Sequence, residues 1–133
     1  MKKYIFLDID GPLNTGRKEY LDPERYGHHF DNEAVNNLRR IVEVADASIV
    51  ISSTWRNMGI KRIHEIWKDW KLPGNVVGCT PGGWGDGRSF NTRGDEIQAW
   101  LDENAKGPKA YVIILLSVPS DSFKRRYKRV RIC

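Results

Sequence analysis

The chain has 133 residues, 40% of them hydrophobic and 29% charged, which fits one domain with a modest core, leaves no room for two, and excludes a disordered chain. Its net charge of +5 is uneven: six of the 22 Lys and Arg lie between Lys124 and Arg131 with no acid among them, and without those six the remaining 16 face 17 Asp and Glu, a net of −1. No apolar run approaches the roughly 20 residues of a spanning helix, the stretch after Met1-Lys2-Lys3 is too short for a secretory leader, and two cysteines, Cys79 and Cys133, make no disulfide framework or close metal-ligand pair, so a cytoplasmic protein without a membrane partner is expected.

Lys3 to Ile9 is expected as a buried central strand, because Tyr4, Ile5, Phe6, Leu7 and Ile9 form a nearly continuous apolar run rather than an alternating one. Residues 11–30, rich in Gly, Pro, His and charge, read as a long loop that is too short for a large cap domain. Asp31 is placed as the N-cap of a helix carrying Val35, Leu38, Ile41, Val42 and Ala45 at helical spacing. Ala47 to Ile51 is a second strand, running into Ser52-Ser53-Thr54. Thr54 is expected to cap a helix with Ile60, Ile63, Trp67 and Trp70 on one face.

Val76 to Cys79 gives a short third strand, and the glycine-rich stretch from Thr80 to Asn91 reads as a loop near a site. Trp84 within it either stacks on a base or covers the edge of the core. Thr92 and Asp95 have the spacing of a capping box opening a third helix, with Ile97, Trp100 and Leu101 inward, and Ala110 to Leu116 supplies a fourth strand. This alternation predicts an α/β fold, a three-layer, doubly wound, mainly parallel sheet. The core domain is taken as residues 1–123 and a basic tail as 124–133.

In such sheets ligands sit beyond the carboxyl ends of the strands, where the strand order reverses. Asp8 and Asp10, two positions apart as the first strand runs out, share one side of that site. A lone Asp before Gly usually caps a turn; an Asp-x-Asp-Gly pair directly after a buried strand points to chemistry.

Phe6-Leu7-Asp8-Ile9-Asp10-Gly11 resembles the first motif of the haloacid-dehalogenase superfamily of phosphohydrolases. The segments Ile51-Ser52-Ser53-Thr54-Trp55-Arg56 and Arg93-Gly94-Asp95-Glu96-Ile97 are similar to a compact branch of it, some of whose domains occur in RNA-repair proteins. The likeness runs from residue 4 to about residue 116. It implies that Asp8 is the nucleophile and Asp10 the acid/base of a phosphomonoesterase working through an aspartyl-phosphate. Ser52, Ser53, Gly11, Arg93 and Arg56 become the phosphate-binding candidates, and Mg2+ would be held by Asp8, the Asp10 carbonyl and Asp121. A phosphate approaching two acids needs such compensation, since like charges about 4 Å apart repel by about 4 kcal/mol at an effective dielectric near 20.

One landmark departs from the pattern. The superfamily ends its fourth strand with an acid, whereas Leu116 stands in that place here, expected to face Asp8, and Asp121 fits only the second acid by spacing. Three readings stay open: an active enzyme using Asp121, an impaired pseudoenzyme, or a C-terminal region altered relative to its relatives. The alternative to catalysis is a module binding nucleic-acid or nucleotide phosphates. In it Lys124, Arg125, Arg126, Lys128, Arg129 and Arg131 contact phosphates and Tyr127 stacks. That tail is otherwise a solvated charge run, or an edge strand built on Val130 and Ile132. The partner in either case is a phosphorylated small molecule or nucleic-acid end. His28, His29 and His64 receive no role.

Overall fold

The computed structural model describes residues 1–14, 30–117 and 127–132. In chain order these form β1 (Lys2–Leu7), α1 (Asn32–Ala45), β2 (Ser48–Ile51), a 3-10 helix (Thr54–Met58), α2 (Ile60–Asp69), β3 (Val76–Cys79), α3 (Arg93–Asn104), β4 (Lys109–Ser117) and β5 (Tyr127–Ile132). The strands make one sheet in the order β3-β2-β1-β4-β5, parallel from β3 to β4 and antiparallel between β4 and β5. The mainly parallel α/β sheet is thus the one the alternation of apolar runs implies.

β1 lies in the middle because its side chains can be buried on both faces. Ile5 and Leu7 pack with α1 and α2 through Ala34, Val35, Leu38, Ile63, Ile66 and Trp67. Tyr4 and Phe6 point the other way, toward Ile97, Trp100 and Leu101 of α3, with the Phe6 and Trp100 rings edge to face at 5.6 Å. Ile5, Phe6, Leu7, Ile49, Val50 and Ile51 are all wholly buried. Each buried aliphatic or aromatic side chain contributes roughly 1.5–3 kcal/mol, so the two clusters carry most of the stability.

The chain steps from β1 to β2 to β3 with α1 and α2 on one face, then crosses back over β1 to β4 with α3 on the other. Reversing direction while keeping right-handed crossovers forces that change of face. It produces three layers and puts the switch point between β1 and β4.

Local chemistry sets the helix ends. Asp31 caps α1 by accepting from the Glu33 and Ala34 N–H groups at 3.0 and 3.3 Å. The Thr92–Asp95 capping box at α3 is reciprocal, at 3.1 and 3.2 Å. At the third site the expectation shifts: Ser53, not Thr54, is the cap, and it caps the 3-10 helix by accepting from the Trp55 N–H at 3.2 Å. α2 begins separately at Ile60 behind Gly59, which has φ 84 and no side-chain cap. Ile63, Ile66 and Trp67 are its buried face, while Ile60 stays exposed and Trp70 closes the end.

Residues 127–132, read from the sequence within a basic tail, pair as β5 along β4 from Val112↔Ile132 to Ser117↔Tyr127. Among the described residues, no helix is long and apolar enough to cross a membrane.

Candidate active site

Asp8 is the first residue past β1. Its N–H donates to the Ile114 carbonyl at 2.9 Å, and the Ser52 N–H donates to the Leu7 carbonyl at 2.8 Å. The ladders on both sides thus continue one step beyond the strand and fix the chain at the switch point. Because Phe6 and Val50 face α3 and side chains alternate along a strand, Asp8 and Ser52 follow on that same face.

A tight turn then presents Asp10. The Leu13 and Asn14 N–H groups both donate to the Ile9 carbonyl at 3.0 Å, and the Gly11 N–H donates to the Asn14 carbonyl at 2.8 Å. Gly11 has φ 101, where a Cβ would be strained, which explains glycine here. The Asn14 amide donates to Asp10 Oδ1 at 3.2 Å and sets that carboxylate. Sequence reasoning missed Asn14; its signal was an amide four residues after Asp10 in the same turn.

The Asp8 side chain is 17% exposed. Burial pushes its carboxyl above the usual carboxylate range; the Arg93 guanidinium, the Ile9 N–H and the Ser53 hydroxyl pull it down, and neighbouring Asp10 pushes it up. Arg93 Nη1 lies 3.6 Å from Asp8 Oδ2 and also donates to the Ser52 carbonyl. As the first residue of α3, Arg93 is aimed by the capping box behind it.

Ser52 is 1% exposed, and its Oγ has no hydrogen-bond partner among the described residues. A buried hydroxyl left unpaired costs about 1–3 kcal/mol. Here it lies on the Asp8 face, beneath the Arg93 contact to its own carbonyl. Asp8, Asp10, Ser52, Ser53 and Arg93 therefore converge.

Arg56 does not join them. It makes a bidentate pair with Glu96 at 2.9 and 3.1 Å, donates to Thr80 Oγ1 at 3.2 Å and to the Gly82 carbonyl at 3.3 Å, so its fork is committed to holding the loop after β3. Gly11 shapes the turn, its N–H already given to Asn14. The position beside Asp8 on β4 is also not Leu116. Leu7 pairs with Ile114, so Leu115, and not Leu116, comes level with Asp8 in the ladder. His64 Nε2 contacts the Val76 carbonyl at 2.9 Å, a packing role. Asp121, His28, His29, Lys124, Arg125 and Arg126 lie outside the described residues.

Among the described residues no group of three or more His, Cys, Asp or Glu could share a cation. Among the described residues, the carboxylates available to a cation at this site are Asp8 and Asp10. That donor set fits Mg2+, which takes hard oxygen ligands and commonly only one or two carboxylates, filling the remainder with water and substrate phosphate.

A family model described as the HAD domain in Swiss Army Knife RNA repair proteins matches residues 4–127. No curated protein and no solved structure matches the chain.

Proposed function

Because the chain belongs to the family of HAD (haloacid-dehalogenase-type) domains in Swiss Army Knife RNA repair proteins, we propose that it is a magnesium-dependent phosphomonoesterase acting on phosphorylated nucleic-acid ends. The observation that carries this reading is the setting of Asp8: a half-buried carboxylate with Arg93 3.6 Å away and the unspent hydroxyl of Ser52 on the same face.

Asp8 attacks phosphorus and the bond to the leaving oxygen breaks while Asp10 gives that oxygen a proton. Asp10, now a carboxylate, takes a proton from water. That water attacks phosphorus, releasing phosphate and restoring Asp8. Asn14 keeps Asp10 aimed through both steps. Arg93 and the Ser52 hydroxyl face the phosphoryl oxygens, placing a positive charge and a donor where negative charge builds. Ser53, whose oxygen accepts from the Trp55 N–H, has its own proton to give Asp8. Magnesium, when bound by Asp8 and the Asp10 carbonyl, supplies a Lewis acid and further neutralises the phosphoryl group.

The rival is a domain that binds phosphorylated ends without cleaving them. It is favoured by Leu115, an apolar residue on β4 level with Asp8. Phosphate release from a 3′-phosphorylated oligonucleotide, measured across a magnesium titration with Asp8→Asn as control, separates the two. Release that needs Asp8 supports the esterase; binding with no release at any magnesium concentration supports the rival.

A further inference from the structure

Four of the five tryptophans serve the core: Trp55, Trp67 and Trp100 are 8%, 7% and 7% exposed, and Trp70 stacks edge to face on Phe30. Trp84 is 89% exposed. It covers no core edge, so the packing explanation for an indole in this loop falls away.

The loop that displays it is held firmly at its backbone. The Trp84 N–H donates to Asn57 Oδ1 at 2.6 Å. Asp86 accepts from the Gly82 N–H and, at 2.7 Å, from the Arg88 N–H, and Arg56 donates to the Gly82 carbonyl at 3.3 Å while bound to Glu96. Gly83 sits so close to the 3-10 helix that a Cβ there would stand 2.8 Å from Asn57 Oδ1. An exposed aromatic on a pinned backbone loses little freedom when a flat partner settles on it.

Its anchors are the elements that build the active site. The 3-10 helix is capped by Ser53, whose hydroxyl reaches Asp8, and holds Asn57 four residues later; at about 2 Å rise per residue these lie about 8 Å apart. Glu96, which holds Arg56, is one turn along α3 from Arg93. The Trp84 backbone is thus anchored to the elements that carry Ser53 and Arg93, beyond the same carboxyl end of the sheet.

We propose that Trp84 is the base-stacking residue of this site, holding a nucleobase of the substrate strand while its terminal phosphate meets Asp8. This names the recognition element of the phosphatase reading and rests on it. Tryptophan presents a large π-face to any base, so the contact is tolerant of sequence.

The test uses the full chain carrying Asp8→Asn, so that bound ends are not consumed, and two probes: a 3′-phosphorylated trinucleotide and its abasic counterpart with the same phosphates. Base–aromatic stacking of about 1–3 kcal/mol corresponds to about 5- to 150-fold in affinity. Trp84→Ala should weaken trinucleotide binding within that range, Trp84→Phe should restore most of it, and the abasic probe should bind all three proteins alike. Thermal melts should coincide, since the side chain is solvated. Equal affinity with and without Trp84, or equal losses on both probes, would overturn the proposal. Phosphate release by the chain with native Asp8 is scored separately. Absent release with base-dependent binding through Trp84 removes the esterase reading alone; release indifferent to Trp84, with unchanged binding, removes the stacking alone.

Discussion

Arg93 Nη1 stands 3.6 Å from the Asp8 carboxylate and donates to the Ser52 carbonyl, so one side chain joins the end of β1, the end of β2 and the start of α3. Replacing it by Ala removes the positive charge beside Asp8. The expected result is a KM for phosphorylated oligonucleotide raised about tenfold or more, with a fall in kcat, because a charge-assisted contact is worth about 1.5–3 kcal/mol. Lys should recover part of this. Steady-state kinetics of Arg93→Ala and Arg93→Lys check it; unchanged constants would remove Arg93 from the site.

Glu96 neutralises Arg56 where both side chains are largely buried, at 15% and 11% exposure. Glu96→Ala leaves that guanidinium without its acid and should cost about 2 kcal/mol, at the low end for a partly solvated buried pair. Urea unfolding of Glu96→Ala, Arg56→Ala and the double variant provides the measurement. The double variant should lose less than the sum of the singles.

Leu115 is level with Asp8 and half-buried, so Leu115→Asp adds a carboxylate beside Asp8. The magnesium concentration for half-maximal activity should fall, because a further acid strengthens a small oxygen set. Leu116→Asp, one residue further along β4 than the level of Asp8, should give no such gain. A gain from Leu116→Asp and none from Leu115→Asp would mean the β1–β4 register is shifted by one.

Burial pushes the Cys79 thiol up to about 11 from an ordinary 9.0. Thiol reagents attack the thiolate, so in a Cys133→Ser chain labelling at pH 8 should be about 100-fold slower in the native state than in denaturant, two pH units of thiolate fraction. The raised value means the native state holds this proton more tightly. Its contribution to stability is present below about pH 9 and is lost as pH rises toward 11. Native labelling as fast as denatured labelling would contradict this burial.

The parts of the fold that were legible in the sequence are those decided locally. The run Tyr4–Leu7 needs both faces covered and so declares a central strand. Thr92 and Asp95 cap each other within one turn, and Asp8-Ile9-Asp10-Gly11 carries strand end, carboxylates and turn in four residues. What could not be read depends on distant partners. Arg56 looks free until Glu96, 40 positions away, arrives to occupy it. Whether Leu115 or Leu116 comes level with Asp8 turns on a ladder between β1 and β4. The choice of Ser53 over Thr54 as cap was a matter of one residue, settled by which hydroxyl meets the Trp55 N–H.

The Asp31 N–H donates to the Leu13 carbonyl at 2.9 Å, so the chain leaves the Asp10 turn and enters α1 through a closed gateway. Whatever lies between has its two ends tied together by the core. Doubling such a segment costs only about 0.6 kcal/mol in closure entropy, and the strain of a new length is not passed to Asp10 or to α1. Leu13 and Asp31 are therefore held together by the core itself, and a change of length between them leaves Asp8 and Asp10 where β1 puts them.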